Sequence, residues 1–310
     1  MVWKIVGVAL VVLIILFSFG VVYQNIPREV VEMKTDNING EPFSIISYGA
    51  TPVFLENLRF NHNDISYFIG DSCSSVRRSS MIEAFGLFSG MTKYIRFNEV
   101  GSEADIDVEC SDESIEIGAG LFAAGEGGPS RIINTSRFKV IEKGSIFLYS
   151  DSRCERPVVE LHELGHVFGF DHSEDPLNIM YNTSGCEQRI SDDMVELIYG
   201  LYSVEALADV RISELVAVKR GKYLDFNMTI LNDGMLDAGE VDLSIVVDGD
   251  VVEVMYIGEI EIGFGRTLCV ENLNLGSRGY DAVEFHVDRD DVVEELDEEN
   301  NVVLVSVESS

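Results

Sequence analysis

The chain has 310 residues, long enough for two domains that each bury a core. Its 54 acidic residues against 22 basic ones give a formal net charge of −32, which excludes a nucleic-acid-binding face and a folded surface suited to anionic lipid. A hydrophobic content of 46% excludes a disordered acidic chain, so the charge reads as solubility, in a salty milieu or with bound cations.

Residues 5–23, IVGVALVVLIILFSFGVVY, carry no charge and are about as long as a bilayer-spanning helix. Lys4 precedes them, so the positive-inside rule places the remainder outside. Segment 1–24 therefore reads as a signal anchor, a single-pass transmembrane helix in the cell membrane with the folded domains extracellular. The competing reading is a signal peptide cut after small residues such as Ser18 or Gly20, which gives a secreted protein. Either route exports the chain to where disulfides persist. Residues 25–55 read as a stalk or leader, interrupted by Pro27, Pro42 and Pro52 and without a lasting helical or strand period.

From residue 56 the pattern is α+β. A strand is expected at Ile65–Ile69. A helix is expected over 74–90, with Met81, Ala84, Phe85 and Phe88 on its core face. Strands at 94–100 and 104–110 follow. Residues 118–130, GAGLFAAGEGGPS, read as a glycine-rich loop and lack the Lys-Ser/Thr ending of a phosphate loop. RIINTSRFKV and GSIFLYS add strands.

Pro157 suits the first turn of the next helix, which Val158, Val159, Leu161, Leu164, Val167 and Phe168 would bury. That helix carries HELGHVFGFDH, residues 162–172. His162 and His166 stand four apart, so both imidazoles share one helix face. Gly169 can take a positive φ, end the helix and turn the chain back. His172 is then placed to add a third nitrogen. Three imidazoles with one open position suit a catalytic zinc ion, and Glu163 beside the first ligand suits a general base acting on water. Ser191-Asp192-Asp193 should cap a last helix running to about Tyr202, with Met194, Val195, Leu197, Ile198 and Leu201 packed beneath the site.

With this motif the chain resembles the metzincin metallopeptidases, whose HExxHxxGxxH signature is followed by a methionine turn, here Asn178-Ile179-Met180-Tyr181. The spacing from His172 to Met180 and the following Tyr look most like the matrixin branch. AFGLFSGMTKYIRFNEV followed by ADIDV is similar to the helix and next strands of matrixin catalytic domains, which extends the resemblance over about residues 60–200. The resemblance implies a zincin-like (metzincin) α+β catalytic domain over 56–203. It implies a zinc metalloendopeptidase with one catalytic Zn2+ and a protein or peptide substrate. It also implies that Met180 is a hydrophobic floor under the metal and not a ligand. The glycine-rich stretch would border the cleft, along an edge strand able to pair with an extended peptide. Residues 25–55 lack the cysteine switch of many matrixins. No histidine lies between 63 and 161 to bind their additional structural zinc. Acidic and carbonyl groups could hold Ca2+, with no loop motif that requires it.

From Val210 the runs VRISELVAV, YLDFNMTILNDG, EVDLSIVVDGD, AVEFHVD and NVVLVSV predict an all-β, immunoglobulin-like antiparallel sandwich over 208–309. Asn232-Asp233-Gly234 and Asp248-Gly249-Asp250 are expected hairpin turns. The ending VEELDEENNVVLVSV, with the earlier ILNDG, resembles the CARDB modules of surface proteins. That implies a non-catalytic role with a cell-surface partner: adhesion, substrate capture or spacing. His286 is expected to be structural. Asn134, Asn182 and Asn227 begin glycosylation sequons.

Cys73 and Cys110 flank the first helix and a later strand, while Cys154 and Cys186 bracket the metal motif and the methionine turn. The preferred pairing is Cys73–Cys110 and Cys154–Cys186. Four cysteines allow three connectivities, and reduced thiols are the alternative. Cys269 is left over. The rival functions are a surface adhesion protein whose zinc domain is a scaffold, and an autoprocessing protease whose substrate is its own stalk.

Overall fold

The structure is a computed structural model and describes residues 30–35 and 51–306, apart from 114, 119, 120, 152, 153, 277, 278 and 281. The expected membrane span at 5–23 lies outside the described residues. No helix among the described residues is long and apolar enough to cross a membrane.

The first described strand, β1 (Val30–Thr35), belongs to the C-terminal module, and it corrects the reading of 25–55 as a stalk without strand structure. The first domain then runs β2 (Leu58–Arg59), β3 (Asp64–Ile69), α1 (Ser75–Thr92), β4 (Arg96–Glu99), β5 (Ile106–Cys110), β6 (Glu116–Gly118), β7 (Leu121–Phe122), β8 (Gly125–Asn134), β9 (Lys139–Leu148), α2 (Val158–Val167) and α3 (Asp192–Ser203). Strands β2, β9, β5, β3 and β4 form a parallel sheet in that order, and β8 pairs antiparallel with β9. Residues 51–55 also belong here and not to a leader, since Phe54 N–H donates to Gly169 O at 3.0 Å and Asp171 N–H to Pro52 O at 2.8 Å.

Helix α1 starts at Ser74, whose hydroxyl accepts from the Arg77 N–H, and ends at Lys93 in the left-handed region. Met81, Ala84, Phe85 and Phe88 are all buried in one core with Ile65, Ile69, Ile106, Val108 and the apolar face of α2. That burial, not helix propensity, fixes α1 against the sheet. The segment expected as the strand RIINTSRFKV is instead a hairpin. Residues 131–134 end β8, Thr135 to Phe138 turn the chain, and Lys139 opens β9. Ser191 stands at the start of α3 but makes no side-chain cap bond there.

The C-terminal module adds β10 (Val210–Arg220), β11 (Tyr223–Asn232), β12 (Ala238–Val247), β13 (Asp250–Ile260), β14 (Gly265–Asn274), β15 (Ala282–Val287) and β16 (Val302–Ser306). Their order is β13-β12-β15-β16-β1-β10-β11-β14, and every pairing is antiparallel. The halves on either side of β1 enclose a single core, in which Phe226 of β11 meets Phe285 of β15 edge-on at 5.1 Å. Asp248 and Gly249, both with positive φ, make the expected β12–β13 hairpin. Asn232-Asp233-Gly234 does not make a hairpin. It is a crossover between sheet halves, held by the Asn232 side chain, which donates to Leu236 O and Ile260 O and accepts from the Asp209 and Gly234 N–H groups.

Candidate metal centre and cleft

Helix α2 breaks off at Val167 because Gly169 takes φ +90°, a turn that L side chains resist. A Cβ there would also sit 2.8 Å from the Leu58 side chain. The chain then returns toward the helix, with Phe170 N–H donating to Gly165 O. The result is that His162, His166 and His172 converge, with ligand-capable ring nitrogens all within 4.8 Å of one another.

Each helical histidine is oriented by a main-chain carbonyl. His162 Nδ1 lies 2.7 Å from Ile179 O, and His166 Nδ1 lies 2.8 Å from Phe170 O. A carbonyl only accepts, so both Nδ1 atoms carry the proton and both Nε2 atoms present bare lone pairs. Those Nε2 atoms face each other at 3.1 Å. Two lone pairs at that distance repel unless a proton or a cation lies between them. Burial drives the proton off, holding His162 down to about 4 and lowering His166 as well. Three neutral imidazoles steered by carbonyls fit a zinc ion, which prefers nitrogen ligands and such supporting bonds.

Glu163 lies buried on the same helix, and the Gly127 N–H hydrogen-bonds its carboxyl. Burial, then the charges of Glu126 and Glu160, push this carboxyl up to about 8. Strand β8 passes directly over it. A Cβ at Gly125 would fall 2.7 Å from Glu163 Cγ, and one at Gly127 would fall 2.2 Å from Glu163 O. Gly125 and Gly127, expected in a loop, are therefore strand residues that allow β8 to touch the helix of the histidine triad. On the rim above, Glu126 accepts a hydrogen bond from the Tyr149 hydroxyl at 3.0 Å.

Met180 is fully buried, and its sulfur would stand 2.4 Å from a Cβ added at Gly165, so the methionine turn lies flat under α2. The turn is clamped by its own Asn178, by Ser191 and Asp193 of the expected helix cap, and by Thr51, which carries no signal in the sequence. Asn178 accepts from the Met180 N–H and donates to Thr51 Oγ1 and Ser191 Oγ, while Thr51 N–H donates to Asp193. An Asn two residues before a buried turn is a recognisable local signal. Its partner, 127 residues away in Thr51, is not. Disulfides join Cys73 to Cys110 and Cys154 to Cys186, the second tying the approach to α2 to the loop after the methionine turn. Cys269 is free and exposed. His286 pairs with Glu284 at 2.8 Å, far in the fold from the triad.

A histidine triad on a broken helix, with a buried carboxyl one residue past the first histidine, defines the class: a site able to hold a metal ion under a strand-lined cleft. The family comparisons make it particular. Residues 59–203 match the matrixin family model and residues 207–305 match the CARDB model, so the chain carries a matrixin domain followed by a CARDB module. The matrixin family is one of zinc metallopeptidases. No curated protein matches the chain. Among solved structures it is similar to a domain of a Methanosarcina acetivorans protein whose name assigns it, provisionally, to the cell surface, at 22% identity over 34% of this chain and 95% of that one, with a TM-score of 0.28. It is also similar to a CARDB domain from Pyrococcus furiosus in complex with di-metal ions, at 19% identity over 33% and 88%, again with a TM-score of 0.28.

Proposed function

We propose that the matrixin domain is a zinc-dependent endopeptidase of the cell exterior, and that the CARDB module carries it or holds a surface partner. The observation that carries this reading is the pair of bare Nε2 atoms, 3.1 Å apart, beside the buried Glu163. His162, His166 and His172 would hold the ion, which when bound supplies Lewis acidity to a water and to a peptide carbonyl. Glu163 takes the proton of the attacking water and hands it to the leaving amine nitrogen. The outer edge of β8 pairs with no strand among the described residues, and an extended substrate could add there through main-chain hydrogen bonds. The apolar run at 5–23 would anchor the chain in the membrane with both domains outside.

The test is cleavage of casein by residues 25–310 as wild type and as Glu163→Gln, with zinc content measured for both. The expected outcome is one zinc in each and hydrolysis by wild type, with the variant slower by roughly 100-fold or more. Equal hydrolysis by the two would reject Glu163 as the base, and absence of zinc from both would reject the metal centre.

A further inference from the structure

Strand β1 precedes the matrixin domain in sequence, yet every strand it pairs with follows that domain. Val30, Val31, Glu32 and Met33 stand opposite Arg220, Lys219, Val218 and Ala217 of β10, and Lys34 and Thr35 stand opposite Ser306 and Val305 of β16. Without β1, one side of β10 and one side of β16 would have no strand partner among the described residues, where β10 otherwise pairs with β11 and β16 with β15. An open pair of edges in the middle of a sheet presents main-chain donors and acceptors that need partners. The matrixin domain is thus an insertion between the first and second strands of the β module. The chain is also fixed on the far side of the connection, where Thr51 donates to Asp193 and Phe54 to Gly169.

We propose that the seam between β10 and β16 is a strand-acceptor site whose resident is the chain's own segment Val30–Thr35, so that a cut between residues 35 and 51 leaves the N-terminal segment bound to the folded domains. The ligand class is an extended peptide, recognised mainly through its backbone. Where residues 5–23 serve as an anchor, a cut there converts the protein into two chains and does not shed the domains. This proposal stands whether or not the matrixin domain cleaves peptides.

The test uses residues 25–310 with Glu163→Gln to prevent self-cutting and a site for a sequence-specific protease placed within 36–50. After complete cutting, the N-terminal fragment should co-elute with the body on gel filtration in native buffer and separate only in denaturant. A fragment that elutes alone in native buffer overturns the proposal. In the uncut protein, the amides of 31–34 should exchange with deuterium orders of magnitude more slowly than a free peptide, and exchange at the free-peptide rate also overturns it. Val31→Pro combined with Glu32→Pro removes a donor facing β10 whichever way the pleat falls. The cut protein carrying this pair should lose its fragment, and the body that remains folded should melt at a lower temperature than the unsubstituted complex, because its β10 and β16 edges are then unpartnered. Retention equal to that of the unsubstituted chain would show that strand pairing is not what holds the segment.

Discussion

Glu163 and Glu295 are both pushed up to about 8 by burial, and they differ in what stands near them. Glu163 lies beside three imidazoles able to hold a cation, which would draw its proton affinity down again. Glu295 has the opposite setting. Its oxygens accept from the Val210 N–H and the Asn301 amide, but Glu298 and Asp209 raise its proton affinity further. Its proton affinity in the folded state thus exceeds that of the unfolded chain. Below the unfolded value both states are protonated and the stabilisation is complete. As pH rises toward about 8 the unfolded state alone has lost its proton, so stability falls through that window. Glu295→Gln does not titrate. Whatever fixed cost the amide carries, the urea-unfolding free energies should shift in favour of the variant between pH 5 and 8, by up to about 1.4 kcal/mol per pH unit. A gap between the two proteins that stays constant across this range would remove Glu295 as the titrating group.

At the scale of elements, β8 shows how close approach disguises a strand. Gly125, Gly127 and Gly128 with Pro129 carry the residue types of a loop, and nothing local in the sequence contradicts that. Two of these glycines are required by contact and one is not. A Cβ at 127 meets the backbone of α2, whereas a Cβ at 128 meets nothing within 4 Å. Gly127→Ala should therefore lower stability by about 1–3 kcal/mol and displace β8 from Glu163, with casein hydrolysis falling alongside. Gly128→Ala should leave both nearly unchanged. Equal melting temperatures for the two variants would mean that β8 does not rest on α2. The same logic explains what else was illegible. Strands β13 and β14 lie at the two ends of the sheet order and are largely exposed, so VVEVMYIGEI and RTLCVENLN show no clean alternation of buried and exposed positions. Strand β1 has no local signal because its neighbours lie almost two hundred or more positions later. The metal triad was legible because its geometry is written within eleven residues, in a helix, a glycine and a return.

At the scale of the molecule, the two domains share a small core and one buried ion cluster. Phe138 and Val140 of the matrixin domain pack with Met235 and Ile262 of the β module. Beside them Arg137 reaches across to Asp209 at 3.0 Å and Asp297 at 2.7 Å. Asp209 is fully buried, and burial raises its proton affinity against the pull of Asn300 and Arg137. In the β module, whose acidic residues far outnumber its basic ones, a buried carboxylate next to Asp297 and Asp233 needs a cation, and the matrixin domain supplies it. The charge balance noted in the sequence thus becomes an interdomain device. Arg137→Ala strands Asp209 without its partner and should cost about 3 kcal/mol, read as a lower urea midpoint. Asp209→Asn removes the charge but keeps the shape, so it should cost less than the arginine variant. The informative case is Arg137→Met with Asp209→Asn. If the first loss came from an uncompensated buried charge, the double variant recovers most of it, because the group that needed a cation is gone. If the arginine matters chiefly through its contact with Asp297, the double variant stays as unstable as Arg137→Ala, and the pair with Asp209 is not what joins the domains.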